Sequence, residues 1–251
     1  MDPIDLAAVA AWAFVVAVVG GLAGLVLGNL RLPVVLLVAS SPAAGAGANV
    51  AISGVSATAA AGAHARAGRV DWRLFWWMAP ASVAGGIAGG LAAGVLPGRV
   101  LLAVIGLVVL YGAVEVARYR GPPPTTDGGG EVGFGAAAAV GFGVGVLGGL
   151  VGLILGSLRL PAMVRWVGVT PAGAVGTNAA VGMAVGVGGL IGHLPSGVDW
   201  DILGAGCAGG IPGAYLGAHL VGRLSERGLL QTISAVLAVS GAAMLVQAAF
   251  G

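Results

Sequence analysis

The chain has 251 residues, of which 58% are hydrophobic and only 8% are charged, and its net charge is +2. Soluble globular domains carry about 25% charged residues, so the composition excludes that class and predicts a polytopic α-helical membrane protein. The 49 glycines suit close helix packing in lipid, and the apolar content excludes a disordered chain.

The N-terminal stretch MDPIDLAAVAAW predicts a retained first helix, because it lacks the basic n-region of a cleaved signal peptide. The region 4–41 that it opens has two interpretations: one helix followed by a re-entrant loop, or two short crossings over about 5–20 and 21–41. Clear hydrophobic spans follow at 43–65, 73–96 and 100–118.

The second half of the chain repeats the first. The segment GGLAGLVLGNLRLP (20–33) matches GGLVGLILGSLRLP (148–161), and PAAGAGANVA (42–51) matches PAGAVGTNAA (171–180). Such self-similarity indicates an internal duplication, and the stretch between the copies has the Pro, Gly, Thr and Asp composition of a solvated connection. The predicted organisation is one membrane domain over 1–251, with repeat one at 1–120, a linker at 119–131 and repeat two at 132–250.

The arginines indicate how the two repeats face. The loop 64–73 contains three arginines, whereas its counterpart 193–201 contains none; the loop 222–228 contains two where its counterpart near 97–99 contains one. Opposite bias in equivalent loops is expected when the copies face opposite sides of the membrane. We therefore expect an all-α fold of ten crossings in two inverted repeats of five; the alternative is four helices per repeat with re-entrant segments and parallel repeats.

The region 4–41 and its match in repeat two, 132–169, are each interrupted by Gly, a polar residue and Pro. Pro33 and Pro161 each remove a backbone donor, so we expect them to interrupt or restart their helices. Ser41 and Thr170, each followed by proline, indicate a second helix start. Broken helices at matching positions of two halves are the strongest sequence indication of a transporter's central site, and their free N–H groups favour an anion.

In each repeat, an arginine precedes the second helix start and an asparagine follows it, at about the same depth in the membrane. At about 1.5 Å per residue, Arg31 and Asn49 lie roughly 12–15 Å from the surface that Ser41 marks, near the middle of a core about 30 Å thick. Arg159 and Asn178 repeat this in the second copy. A central arginine costs about 3 kcal/mol or more, which an anion held by guanidinium groups and amides would offset. The alternatives are arginines that snorkel to headgroups and asparagines that only join helices.

The candidate substrate-binding residues all lie on these broken elements. They are Arg31, Arg159, Asn49, Asn178, Asn29, Ser157, Thr177, Gly28, Gly156, Gly47 and Gly176. His64 and His193, at equivalent helix ends, are candidates for proton coupling or interfacial anchors. We predict no cofactor, no metal site and no enzymatic activity, because no nucleotide-binding motif, metal-ligand spacing or catalytic triad is found.

The stretch VTPAGAVGTNAAVGMAVGVGGLIGHLPSGVDW (169–200) resembles the sulfite exporter TauE/SafE family, and its first-half counterpart resembles it more loosely. The resemblance implies a multi-pass transporter of the prokaryotic cell (inner) membrane for sulfite, sulfonates such as taurine or sulfoacetate, or related anions. It places the pathway at Gly28–Pro33, Gly47–Asn49, Gly156–Pro161 and Gly176–Asn178. Many members have a longer glycine run where this chain has Asn29 and Arg31, which allows for a substrate other than sulfite.

We therefore expect a secondary transporter that works by alternating access. Its expected partners are the small anionic substrate and the lipid bilayer, with no nucleic acid, and a homodimer is left open. The alternatives are a channel-like anion conduit, and a non-transporting membrane scaffold or accessory subunit.

Overall fold

The structure is a computed structural model that describes residues 2–91, 97–118, 134–151, 153–167, 169–194 and 197–250. Within these ranges the chain forms ten α-helices and no strand, which confirms the predicted all-α class. The helices are α1 (Pro3–Ala23), α2 (Gly28–Val38), α3 (Pro42–Arg66), α4 (Trp72–Leu91), α5 (Gly98–Ala117), α6 (Phe134–Val151), α7 (Gly156–Ala162), α8 (Pro171–His193), α9 (Trp200–Leu220) and α10 (Glu226–Phe250). A π-helical turn, Met163–Val167, extends α7, and a 3₁₀ turn, Val221–Arg223, follows α9.

Several helices have membrane character. Among the described residues, three are long and apolar enough to cross a bilayer: Pro3–Ala23, Pro171–Ile191 and Glu226–Phe250. Shorter apolar helices lie at Gly28–Val38, Leu102–Ala117 and Gly135–Gly148. The predicted linker lies outside the described residues.

Each ambiguous region folds as two helices separated by a short break. Helix α1 ends at Gly24, whose φ of 66° is left-handed, a backbone conformation that glycine adopts without steric cost. Helix α2 then begins at Gly28. In repeat two the corresponding helices are α6 and α7. The helix starts predicted from Ser41 and Thr170 are confirmed, since their hydroxyls accept from the N–H groups of Ala44 and Gly173, each at 3.2 Å.

The prediction that the prolines interrupt these helices is wrong. Pro33 and Pro161 lie inside α2 and α7, and the breaks come before them. Inside a helix, Pro33 leaves the carbonyl of Asn29 without its usual donor. Gln247 on α10 takes that place, because its Nε2 donates to Asn29 O at 3.1 Å. After Pro161 the helix widens into the π-helical turn instead.

Equivalent helices of the two repeats pack against each other in opposite directions. On α3 and α8, a Cβ added to Gly54 would lie 2.9 Å from Gly186 Cα, while one added to Gly189 would lie 2.6 Å from Val50. Position numbers therefore rise along α3 as they fall along α8. Helices α5 and α10 also run antiparallel: Gly106 packs against Gly241, and Ser234 Oγ donates to Ala113 O at 2.8 Å.

Equivalent loops lie at opposite ends of the bundle. The loop after α3 lies beside the end of α9, since Arg69 Nη1 donates to Ala218 O at 2.8 Å. Its counterpart after α8 lies beside the start of α3, since the N–H of Asp199 donates to Ala44 O at 3.2 Å. Two other large contacts also join the repeats: α1 of repeat one packs on α9 of repeat two, and α4 of repeat one packs on α6 of repeat two.

The contact between Gly54 and Gly186 gives a test of this packing. Gly54→Ala places a methyl group 2.9 Å from Gly186 Cα and 3.0 Å from its carbonyl carbon, so the free energy of unfolding should fall by about 1–3 kcal/mol. Gly143→Ala is the matched control, because its Cβ meets nothing within 4 Å. The check is the melting temperature of both purified variants in detergent; equal values would contradict the close α3–α8 contact.

Candidate anion-binding site

The broken segments of the two repeats meet inside the bundle. Asn178 on α8 donates from Nδ2 to the carbonyl of Gly24, at the end of α1, over 2.6 Å. A Cβ on Gly156 would lie 3.6 Å from the backbone nitrogen of Val26. The break of repeat one therefore contacts both α7 and α8 of repeat two.

Arg31 lies on α2 and is hydrogen-bonded to residues of the next helix, α3. It is 2% exposed. Its Nε donates to Asn49 Oδ1 at 2.9 Å, and its Nη2 donates to Asn49 O at 2.9 Å and to Ser53 Oγ at 2.6 Å. Asn49 in turn donates from Nδ2 to Gly28 O at 3.1 Å. Two helices of repeat one thus hold this guanidinium through neutral partners.

Arg159 has an equivalent but less complete environment. It is 1% exposed, and its Nε donates to Asn178 Oδ1 at 2.8 Å. Asn178 donates from Nδ2 to Gly156 O at 3.2 Å, as Asn49 does to Gly28. Arg159 Nη1 lies 3.4 Å from Ser82 Oγ on α4, while its Nη2 is buried with no hydrogen-bond partner among the described residues.

Gly28 and Gly156 provide the space for this geometry. A Cβ on Gly28 would lie 2.8 Å from Ser53 Oγ and 3.2 Å from Asn49 Nδ2, and one on Gly156 would lie 2.9 Å from Asn178 Nδ2. Glycine is therefore required for the asparagines to reach these carbonyls.

A small cavity adjoins Arg31 between α1 and α3. Its volume is about 20 Å³, which suffices for roughly one water molecule. Ser53, Ser56 and Val26 line it together with Arg31. The hydroxyl of Ser56 is buried and has no partner in the described part of the chain, so the cavity wall carries an unsatisfied polar group.

None of the other five candidates is among the described hydrogen-bond partners of the two arginines. Asn29 donates from Nδ2 to Ser240 Oγ on α10 at 2.9 Å. Thr177 Oγ1 accepts from the N–H of Asp71 at 2.9 Å, and Gly176 packs against the backbone of Arg69, so both contact the loop after α3. Gly47 is buried on α3. Ser157 is buried in the first turn of α7.

His64 is fully buried and joins its own helix α3 to α1 and to the loop after α3. Its Nε2 lies 3.2 Å from Gly21 O and its Nδ1 lies 3.1 Å from Arg69 Nη1. A carbonyl only accepts and a guanidinium only donates, so these partners fit a neutral ring with its proton on Nε2. Partial burial lowers the pKa of Arg69. His193 ends α8, and its side chain is not among those described; a coupling role for either histidine stays a prediction.

Sequence reasoning missed two hydroxyl partners of the arginines. Ser53 lies one helical turn after Asn49 on the same face of α3, so helical spacing offers a signal for it. Ser82 lies on α4, and no local pattern connects it to Arg159. Burial of both arginines argues against snorkelling to headgroups, since their side chains end inside the bundle.

Both guanidinium groups are held by neutral groups. In the part of the chain that the structure describes, every partner of Arg31 and Arg159 is an amide, hydroxyl or carbonyl oxygen. No cluster of three potential metal ligands occurs among the described residues. The arrangement is therefore cationic and suits an anion.

Comparison with known proteins agrees with this chemistry. The family described as sulfite exporter TauE/SafE matches residues 9–244, which is nearly the whole chain. No curated protein and no solved structure gives a significant match. The chain belongs to the sulfite exporter TauE/SafE family, whose members are multi-pass membrane transporters of sulfur-containing anions, and it is a transporter rather than an enzyme.

Proposed function

We propose that this protein is a secondary transporter that moves a small sulfur-containing anion across the cell membrane by alternating access between two inverted repeats. Sulfite and sulfonates such as taurine or sulfoacetate are the substrate class. Arg31 and Arg159 neutralise the anion. Asn49 and Asn178 orient the two guanidinium groups. The observation that carries the proposal is a pair of buried guanidinium groups whose described partners are all neutral.

The charge of the pair supports an anionic substrate. Taking a single cation out of water costs several kcal/mol, even after the protein relaxes. Neutral hydrogen-bond partners offset part of that cost but leave the positive charge uncompensated. Sulfite and sulfonates present oxygens that accept the paired N–H donors of arginine. Their charge thus complements the site.

The directions of the helices support inversion. Equivalent helices α3 and α8 run antiparallel, as do α5 and α10. A twofold axis in the membrane plane reverses a helix, whereas an axis along the membrane normal preserves its direction. Inverted repeats around a central site are a common basis of alternating access.

The small volume of the cavity beside Arg31 supports a transporter over the channel-like alternative. The cavity beside Arg31 measures about 20 Å³, which is the size of about one water molecule. A sulfonate does not fit this cavity as it stands, so its entry there requires the surrounding helices to move. The scaffold alternative gives no reason for two buried arginines at equivalent positions. Homodimerisation and a prokaryotic inner-membrane location remain predictions from the sequence.

Removal of either arginine tests the site. Arg31→Ala and Arg159→Ala should each weaken binding of sulfite or sulfoacetate at least tenfold, because each removes one of the two positive charges that attract the anion in a medium of low dielectric constant. The measurement is anion-dependent thermal stabilisation of the purified chain, followed by flux into proteoliposomes. Arg66→Ala, at an exposed arginine, is the control. Unchanged binding in both site variants would exclude the proposed site.

Thiol labelling tests inversion. In a Cys207→Ala background, single cysteines at Ala67 and Asp201, both exposed, should react with an impermeant maleimide from opposite sides of the membrane. The control is a cysteine at Arg223, which follows the end of α9 and should label from the same side as position 67. If 67 and 201 label from the same side, the repeats are not inverted.

A further inference from the structure

One hydroxyl that contacts Arg31 has no counterpart at Arg159. Arg31 Nη2 donates to Ser53 Oγ at 2.6 Å. Ser53 follows Asn49 by one helical turn, and Gly182 holds the matching place after Asn178. Repeat two therefore lacks this hydroxyl, and Arg159 Nη2 is buried without a partner among the described residues. A buried, unpaired guanidinium nitrogen costs free energy that an added acceptor recovers.

We propose that the substrate is bound asymmetrically, with an oxygen of the anion accepting from Arg159 Nη2 in the role that Ser53 Oγ has at Arg31. This inference rests on the proposed function and identifies the donors of its site. Ser53 shows which acceptor geometry the paired guanidinium takes in this fold. Gly182 keeps that place free of a competing side-chain hydroxyl in repeat two.

In this proposal Ser82 is the second hydrogen-bond donor to the anion, after Arg159. Its Oγ lies 3.4 Å from Arg159 Nη1 and accepts from it, so its own proton is free to point toward the anion. Ser82 is fully buried, which strengthens a charge-assisted hydrogen bond. The anion thus receives one hydrogen bond from Arg159 and one from Ser82.

Val26 lies between the cavity and Gly182. It lines the cavity beside Arg31, and its Cγ2 lies 2.8 Å from where a Cβ on Gly182 would be. Val26 belongs to the break between α1 and α2, outside both helices. In this proposal, displacement of its side chain joins the cavity to the space beside Gly182.

Three variants test the inference by anion titration of the full chain in detergent, with sulfite and sulfoacetate as probes and thermal stabilisation as readout. Gly182→Ser supplies the missing hydroxyl, and Gly182→Ala adds the same Cβ against Val26 without it. We expect Gly182→Ser to bind about tenfold more weakly than Gly182→Ala. Ser82→Ala should weaken binding about tenfold relative to wild type.

Ser234→Ala is the matched control for Ser82→Ala. Ser234 is a partly buried serine on α10 that donates to Ala113 O, outside the site, so its variant should bind as wild type does. Equal binding by the two Gly182 variants, together with wild-type binding by Ser82→Ala, overturns this inference and leaves the proposed function in place. If neither anion stabilises the wild-type chain, both are overturned.

Discussion

Two guanidinium groups buried in an apolar bundle set the main constraint on this structure. Each has five N–H donors and cannot lose its charge, so acceptors must come from the protein interior. An asparagine side chain accepts from Nε in both repeats, through Arg31 with Asn49 and Arg159 with Asn178. The same asparagines donate to backbone carbonyls at the helix breaks. The arginine, the asparagine and the break therefore form one hydrogen-bonded unit.

This unit also links the two repeats. Asn178 donates to Gly24 O of repeat one while it holds Arg159 of repeat two. In the proposed alternating-access motion, a shift of one repeat against the other would lengthen the bond to Gly24 and release the amide that binds Arg159. The helix that carries Asn178 also makes the close glycine contact with α3. Relative motion of the repeats and the state of the arginine site are thus physically coupled.

The sequence allowed prediction of the parts that repeat. The duplication aligned Arg31 with Arg159 and Asn49 with Asn178, and in the structure each arginine binds the asparagine of its own repeat. Helix starts at Ser41 and Thr170 followed from local capping chemistry. The position of each break did not follow from proline, because Gln247, distant in sequence, supplies a donor to the carbonyl that Pro33 leaves unpaired.

The local sequence pattern did not predict which side of its helix each candidate residue faces. Thr177 and Asn178 are neighbours in sequence but point about 100° apart around α8. Thr177 accordingly accepts from Asp71, and Asn178 binds Arg159. Asn29 precedes Arg31 by two positions and faces α10 instead.

The two repeats have diverged at the proposed site. Two identical half-sites would share an anion equally on the twofold axis. Here Ser53 already accepts from Arg31 Nη2, while Gly182 leaves Arg159 to find its acceptor elsewhere. Arg31 then contributes mainly its field, which acts over several ångströms in a medium of low dielectric constant. Arg159 contributes directed hydrogen bonds, which require contact. In the proposed site the duplicated arginines therefore have different roles: Arg31 attracts the anion and Arg159 holds it.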